Sequence, residues 1–192
     1  TIGQLAMMIN DEGWLANGLI ADLTIIKYQG KPDEDDRKAV FNPPPSPNMS
    51  DFETAWNYQG LCLLEGTNLS EGRGTDEPFK ILGAPWIESK QLLNEMLPFL
   101  HKDDKLDTVS FIPRSLPGKS VYPKYQDEVC HGLKIQNLEN PIIWTVNLFA
   151  TLESIYPDKF QFLDTHFIDK LYGSNSLRLT VEKGSDLSQI IF

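Results

Sequence analysis

The chain has 192 residues, 41% of them hydrophobic, and a formal net charge of -10 at pH 7. Its length and composition are those of a globular protein with a core of its own rather than of a disordered chain. The acidic charge excludes a nucleic-acid-binding protein, which needs clustered Lys and Arg, and no run approaches the roughly 20 apolar residues of a membrane-spanning helix.

The first part of the chain is predicted to contain one helix and one strand. Apolar residues at helical intervals indicate a helix over residues 1–15, which Asn17 and Gly18 should end. The apolar run that follows predicts a buried strand over residues 22–28. Charged residues with Gly and Pro then indicate a solvated loop over residues 30–36.

A proline-rich stretch leads into the next predicted helix. Consecutive prolines in residues 43–47 fix φ and remove N–H donors, which gives a stiff polyproline-like rod. This rod is either an SH3-type ligand or a device that pins a loop beside a site, and we favour the second. Ser50 and Asp51 form a helix cap with Glu53 as its capping-box partner, and the helix covers residues 51–59.

Short apolar stretches and turn residues predict the elements of the remaining chain. The predicted strands cover residues 79–87, 109–112 and 129–137, and the predicted helices cover residues 89–101, 142–156 and 163–171, with a last short helix beginning at 185. Residues 61–64 are a strand or a buried turn, residues 177–183 are a strand or a helix, and residues 113–125 are a loop. Strands and helices alternate without a βαβ repeat, which predicts an α+β fold with a small mixed sheet in a single domain.

The most informative stretch is residues 65–75, Glu-Gly-Thr-Asn-Leu-Ser-Glu-Gly-Arg-Gly-Thr. Its glycines permit positive φ and close backbone approach to a ligand. Arg73, between two glycines, is a forked donor suited to binding a carboxylate or phosphate bidentately. The stretch has neither known phosphate-loop pattern, G-x-G-x-x-G or Gly-Lys-Ser/Thr. It predicts a site for a polar, anionic ligand, and the alternative is a connection whose polar side chains only satisfy turn backbone.

Several segments taken together resemble one family, the exo-β-N-acetylmuramidase (NamZ) glycosidases, which act on peptidoglycan fragments. The segments are residues 3–6 with Asn10 and Trp14, residues 45–49, residues 65–75 with Pro78 and Phe79, residues 83–87, and Cys130 with Gly132. The resemblance covers nearly all of the chain. Members of this family are about twice as long and carry an amino-terminal Rossmann-like domain before the region matched here.

The resemblance therefore implies that residues 1–192 are the carboxy-terminal domain of such a glycosidase. The proposed catalytic carboxylate of the family lies on the first domain, so no catalytic residue is carried over and this domain alone should be inactive. The implied partners are MurNAc-containing saccharides derived from peptidoglycan and the amino-terminal domain of the same parent chain. Because peptidoglycan lies outside the cytoplasm, we expect the parent to be exported, with a signal peptide not present here.

N-acetylmuramic acid has a lactyl carboxylate, an acetamido group and hydroxyls, which the polar residues of the motifs can bind. Arg73 suits the carboxylate, and Asn48 and Asn68 can donate to and accept from the hydroxyls or the acetamide. Ser70 and Thr75 can do the same or merely close the loop.

Glu65 has three candidate roles: an acid/base, an orienter of Arg73, or an acceptor for a sugar hydroxyl. Glycosidases usually need two carboxylates at a defined separation, which one motif does not supply. We therefore favour the orienting role and keep Glu65 only as a candidate catalytic residue. We expect Glu71 to face solvent.

Among the aromatic residues, Trp86, Tyr58 and Tyr122 can stack on a sugar ring or pack in the core or rim, and Trp144 belongs to the core. His101, His131 and His166 are not grouped in sequence, so we predict neither a metal site nor a cofactor, although His131 could point into a cleft. Cys62 and Cys130 form one structural disulfide or remain two free thiols, and we favour free thiols. The alternative to the glycosidase is a non-enzymatic module that binds a sugar or a protein through the proline-rich rod and the Gly-rich loop.

Overall fold

The structure is a computed structural model that describes residues 1–27, 43–187 and 190. It divides the chain into two units, Thr1–Asp36 and Arg37–Phe192. The sequence-based prediction of a single domain did not include this division. The buried apolar core of the described residues belongs to the second unit.

The described part of the first unit, residues 1–27, contains one α-helix. α1 (Ile2–Asp11) begins with a capping box at Thr1, as its polar start allows. Gly13 adopts a φ of +67° just after the helix and turns the chain. α1 is therefore shorter than the predicted helix over residues 1–15, and it ends before the predicted stop at residues 17–18.

The predicted buried strand over residues 22–28 is wrong for residues 22–27, which form neither helix nor strand. Ile26, within this segment, is 91% exposed. No described strand pairs with the segment, and a strand needs a neighbour to bind its backbone N–H and C=O groups. Tyr28 and the predicted loop over residues 30–36 lie outside the described residues.

The second unit is built on a three-stranded antiparallel sheet in the order β1-β3-β2, with β1 (Ile81–Ala84), β2 (Lys105–Phe111) and β3 (Cys130–Gln136). The prediction of three strands near these positions is confirmed, but the sheet is antiparallel in all its pairs rather than mixed. A Cβ at Gly132 of β3 would overlap the carbonyl oxygen of Leu82 in β1, so only glycine permits this strand pairing.

Helices pack around the sheet and supply most of the core. They are α2 (Phe52–Leu61), α3 (Ser89–Met96), α4 (Pro141–Ile155), α5 (Phe167–Tyr172) and α6 (Ser176–Glu182), with 3₁₀ helices at Cys62–Gly66 and Leu97–Phe99. The 3₁₀ helix Ala16–Gly18 belongs to the first unit. α4 is the longest and buries Trp144, Phe149 and Leu152, which confirms the prediction that Trp144 belongs to the core. The α+β class is confirmed.

The structure decides between the alternatives that the sequence left open for residues 61–64 and 177–183, and it corrects the start of one helix. Residues 61–64 continue from α2 into a 3₁₀ helix, and residues 177–183 fall mostly within α6. α5 begins later than the predicted residue 163, because His166 adopts a left-handed φ of +49° directly before it. The predicted last helix from residue 185 runs into residues outside the described ranges.

Asp51 caps α2, and its carboxylate accepts the backbone N–H of Thr54 at 2.9 Å. The predicted capping box with Glu53 does not form, because the Glu53 carboxylate lies 3.4 Å from the ammonium of Lys80 instead. Lys80, the residue directly before β1, also donates to Asp51 at 2.8 Å and so joins the start of α2 to the start of β1. Among the described residues, every helix is too short to cross a bilayer.

Candidate functional site

The Gly-rich loop, residues 65–75, runs between α2 with its 3₁₀ extension and strand β1. Ser70 exchanges backbone hydrogen bonds with Gly83 of β1, at 2.8 and 3.0 Å. Thr67 forms an isolated antiparallel bridge with Phe162 on another side of the loop. The loop is therefore fixed to two parts of the second unit and can present side chains in one defined geometry.

The glycines of this loop fit close to the protein's own backbone. Gly72 and Gly74 have the predicted positive φ, +78° and +83°. A Cβ at Gly74 would lie 2.6 Å from the carbonyl oxygen of Arg114, and one at Gly66 would lie 2.7 Å from the backbone of Ile168. The predicted close approach is thus made to protein backbone, and it fastens the loop to its neighbours.

Four charged side chains of alternating sign form a chain of ion pairs, here called the charge cluster: Glu65, Arg73, Glu71 and Lys124. Arg73 Nη2 donates to Glu65 Oε1 at 2.9 Å, and Arg73 Nε lies 3.8 Å from Glu71 Oε1. Lys124 Nζ donates to Glu71 Oε2 at 3.1 Å. The side chain of Glu71 is only 6% exposed, so the prediction that it faces solvent is wrong.

Lys124 is the member of the cluster that sequence reasoning missed. Its ammonium also donates to the backbone carbonyl oxygens of Leu64 and Leu69, both at 2.8 Å, so all three of its donors are used. Burial lowers the pKa of Lys124, although the carboxylate of Glu71 opposes this shift. Lys124 is 53 residues from Glu71 in sequence, inside a Pro- and Tyr-rich loop, and no motif marks it.

Arg73 contacts an aromatic ring in addition to the two carboxylates. Its guanidinium carbon lies 5.3 Å from the centre of the Phe79 ring, a cation–π contact. Phe79 is fully buried and has a φ of +58°, an uncommon conformation for an aromatic residue. With 32% of its side chain exposed, Arg73 is at once oriented by carboxylates and open to solvent.

Tyr58 of α2 lies beside the same cluster. Its ring meets the Phe79 ring edge-on, with the ring centres 4.8 Å apart. Burial raises the pKa of Tyr58, and the carboxylate of Glu65 raises it further. Among the three aromatic residues predicted to stack on a sugar, Tyr58 is the one that contacts Phe79, the ring beneath Arg73.

The other predicted site residues bind the protein backbone. The Asn68 amide donates to the carbonyl of Lys159 at 2.7 Å and accepts the N–H of Gln161 at 3.1 Å. Thr75 Oγ1 donates to the carbonyl of Gly72 at 2.7 Å, and Asn48 Nδ2 donates to the carbonyl of Lys119 at 3.0 Å.

Ser70 is 1% exposed, and its hydroxyl accepts the N–H of Gly72 at 3.4 Å. Ser70 and Thr75 therefore close the loop, which was one of their two predicted roles. Of the six predicted residues, the structure joins Glu65 and Arg73 in one interaction and uses Asn48, Asn68, Ser70 and Thr75 to shape and fasten the chain around them.

Trp86 stands at the rim of the loop rather than in the core. It is half-buried, its indole N–H donates to the Tyr125 hydroxyl at 3.2 Å, and that hydroxyl donates to the carbonyl of Asn68 at 2.7 Å. The Trp86 ring also packs edge-on against Tyr156. Tyr122 is 91% exposed and packs neither in the core nor against the loop.

His131 lines a cavity of about 370 Å³, in agreement with the expectation that it could point into a cleft. Its Nδ1 lies 2.8 Å from the hydroxyl oxygen of Ser110, the residue directly opposite it on β2. Glu88 and Lys90 lie across the same cavity. In the described residues, no group of three or more His, Cys, Asp or Glu is arranged to hold a metal ion.

A second cavity, of about 670 Å³, is mostly apolar and contains none of the charge cluster. Its lining includes Cys62, Ile142, Val146 and Tyr172. Because the Gly-rich loop predicts a polar, anionic ligand, which charged donors bind, we place the candidate site at the charge cluster and not in this larger cavity. Cys62 and Cys130 are both free thiols, as expected.

The fold and the charge cluster define an α+β domain that presents an arginine, oriented by carboxylates, on a rigid Gly-rich loop. The family model described as "Exo-beta-N-acetylmuramidase NamZ, C-terminal" matches residues 56–191, and the chain belongs to this family.

One curated relative and two solved structures show how much of such proteins this chain represents. The chain is 37% identical to the peptidoglycan beta-N-acetylmuramidase NamZ of Bacillus subtilis over 198 aligned positions, which cover 100% of this chain and 45% of the relative. A DUF1343 family protein of Bacteroides fragilis superposes with a TM-score of 0.68 at 28% identity, over 98% of this chain and 49% of its own. A second one has a TM-score of 0.77 over 98% of this chain and 50% of its own, and at 19% identity it supports the fold alone. The chain spans about half the length of these proteins.

Proposed function

We propose that this chain is the substrate-binding half of an exo-acting glycosidase that releases N-acetylmuramic acid from the non-reducing end of peptidoglycan fragments. The curated relative named peptidoglycan beta-N-acetylmuramidase aligns with the whole of this chain, which in turn covers 45% of that relative. In this proposal a longer parent protein carries the catalytic carboxylate on its preceding domain, and the present chain alone is inactive. Since its substrate lies outside the cytoplasm, the parent is exported.

The observation that carries this proposal is the geometry around Arg73. N-acetylmuramic acid differs from N-acetylglucosamine by its lactyl ether, which ends in a carboxylate. A guanidinium that is oriented by its neighbours and still 32% exposed can bind such a carboxylate with charge-assisted hydrogen bonds. Lys124 balances the charge of Glu71, so that Glu65 and Glu71 do not together cancel the attraction of Arg73 for an incoming anion.

In this arrangement Glu65 is an orienting residue. One of its oxygens accepts a hydrogen bond from Arg73 at 2.9 Å, and its side chain is 18% exposed. That oxygen is therefore engaged with the arginine and is not presented to a glycosidic bond. The assignment agrees with the family resemblance, which puts the catalytic carboxylate on another domain.

The test is selective release of MurNAc by the parent protein. The substrates are a chromogenic β-MurNAc glycoside, the same glycoside with its lactyl group as the methyl ester, and the GlcNAc analogue. Arg73→Ala should lower kcat/KM for the carboxylate substrate by about 10- to 100-fold, the value of a hydrogen bond to a charged group. It should leave kcat/KM for the methyl ester, which lacks the charge that Arg73 binds, nearly unchanged. For the carboxylate substrate, kcat/KM of Arg73→Lys should lie between those of wild type and Arg73→Ala, because lysine keeps the charge and loses the forked pair of donors.

Arg178→Ala is the matched control. Arg178 is an arginine of α6 that pairs with Asp169 at 2.8 and 3.0 Å and is only 11% exposed. Its loss should reduce stability without changing the preference for the carboxylate over its ester. An unchanged preference in Arg73→Ala would reduce the charge cluster to a structural role.

Failure of the wild-type parent to release MurNAc would reject the glycosidase. It would favour the alternative, a non-enzymatic sugar- or protein-binding module, whose partner binding should be lost when the exposed prolines of residues 43–47 are replaced.

A further inference from the structure

The first unit of the chain exposes an unusual amount of apolar surface. Of the eighteen large hydrophobic side chains that are exposed among the described residues, ten lie within the first 26 residues. No residue of α1 is buried. Scattered exposed apolar residues are normal, but this density in one short segment indicates a surface that another part of a protein covers.

Within this unit, α1 and residues 21–27 are joined in a specific way. The side-chain amide of Asn10 accepts the N–H of Ala21 at 2.8 Å and donates to its carbonyl at 3.2 Å, the pair of bonds that a neighbouring strand would supply. Gly3 brings the helix so close that a Cβ there would lie 2.9 Å from the Ile25 side chain. The segment after α1 is therefore held against the helix at one face.

The opposite side of the segment has no strand partner among the described residues. Ile26 is 91% exposed, and no described strand pairs with residues 22–27. The sequence nevertheless predicts a buried strand here, since Leu23, Ile25 and Ile26 are apolar and the two isoleucines are β-branched. A helix packed on one face of such a strand is the local arrangement of α/β proteins, in which neighbouring strands complete the sheet.

The comparisons indicate where those neighbouring strands lie. The family model described as C-terminal begins its match at residue 56 and so excludes the first unit. The relatives are about twice as long as this chain, which covers 45% of one and 49% of another. Each of these relatives therefore has a further stretch, of about the size of this chain, that this chain does not match.

We infer that residues 1–27 belong structurally to the preceding domain of the parent protein. Residues 22–27 add as a strand to the edge of a β-sheet in that domain, and α1 covers one face of the same sheet. The proposed glycosidase activity is not required for this arrangement. It explains why a segment with the sequence of a buried strand is exposed here.

Hydrogen exchange measured by mass spectrometry on the parent and on the present chain tests this inference. In the parent, the amides of residues 22–27 should exchange roughly 100-fold or more slowly than in the present chain, because pairing in a sheet protects them. The amides of β3, paired in both forms, serve as the control and should exchange equally. Equal exchange of residues 22–27 in the two forms would overturn the inference.

A substitution gives an independent reading. Ile26→Lys should leave the thermal unfolding of the present chain unchanged, since this side chain is 91% exposed, and should lower the unfolding temperature of the parent by several degrees. An unchanged unfolding temperature in the parent would count against the inference. Protection of residues 22–27 that appears in the present chain only at high concentration would assign the surface to a second copy and would also overturn it.

Discussion

Lys124 positions Arg73 without being able to bind a ligand itself. Each donor of its ammonium is used, by the carbonyls of Leu64 and Leu69 and by the carboxylate of Glu71. The first two bonds span the part of the loop that carries Glu65, and the third fixes the second carboxylate beside Arg73. One half-buried cation therefore sets both carboxylates around the arginine.

Lys124→Met should destabilise the protein by about 3 kcal/mol, because it leaves the nearly buried carboxylate of Glu71 without its closest cation. Urea unfolding measures this loss. Adding Glu71→Gln to the Lys124→Met variant should restore a part of the stability, since no lone charge then remains buried. A double variant that is less stable than Lys124→Met alone would show that the ammonium acts only through the two carbonyls.

The same residues show what a sequence reveals and what it hides. Glu65 and Arg73 are eight positions apart on one Gly-rich loop, so their pairing and the orienting role of Glu65 could be predicted from the motif. Lys124 comes from a distant loop, and only the folded chain brings it to Glu71. Glu71 was predicted to be exposed for the same reason, because the cation that makes its burial tolerable is not visible in the local sequence.

At the scale of elements, the start of α2 is joined to the sheet by Lys80, which pairs with the carboxylates of Asp51 and Glu53. Asp51 caps the helix and accepts a hydrogen bond from Lys80, next to β1, at 2.8 Å. Burial alone would raise the pKa of Asp51, but Lys80 and the N–H of Thr54 outweigh it, so the pKa lies below its ordinary value of 3.8. A carboxylate with a lowered pKa stabilises the fold above its unfolded pKa, and this stabilisation is lost as pH falls through the folded pKa.

Asp51→Asn keeps a good helix cap and removes the charge that pairs with Lys80. Wild type should therefore be more stable than this variant at about pH 7, and the difference should shrink as the pH falls below about 4. Urea unfolding at several pH values measures it. Asp127→Asn is the control, because Asp127 and its partner Arg114 are 58% and 63% exposed, and such a pair contributes little. A difference for Asp51→Asn that persists at low pH would contradict the ion-pair account.

Helices were predicted more closely than strand pairing, and the physical reason is the range of the interactions. Apolar periodicity and capping residues are local, so α2, α3 and α4 were predicted within a few residues of their observed limits. Whether strands pair parallel or antiparallel depends on residues far apart, such as Gly83 and Gly132, which lie opposite each other in the sheet. The prediction for residues 22–27 failed because a strand needs a neighbouring strand, and no described strand pairs with these residues.

At the scale of the whole molecule, the second unit is a core that fixes the charge cluster at its surface. α4 packs against α2, α3 and α6, while β1 binds the middle of the Gly-rich loop at Ser70 and the 3₁₀ helix Cys62–Gly66 includes its first residues. A Cβ at Gly60 of α2 would overlap the backbone of Pro141, so α2 and α4 meet at backbone contact. Arg73 is therefore placed correctly only when this unit is folded. A probe in the central strand of the sheet measures the stability of the unit.

Cys130 is that probe, because it lies in the central strand β3 and has no exposed surface. Burial, with a smaller contribution from Glu128, raises the pKa of Cys130 to about 12, and the thiolate is the reactive form. In a Cys62→Ser variant at about pH 8, Cys130 should react with a thiol reagent at least 1,000-fold more slowly than in the urea-unfolded chain. Its rate should rise with urea in parallel with unfolding measured by tryptophan fluorescence. Rapid labelling in native buffer would mean that the sheet opens locally, and the loop attached to β1 would then not be the rigid support that the site requires.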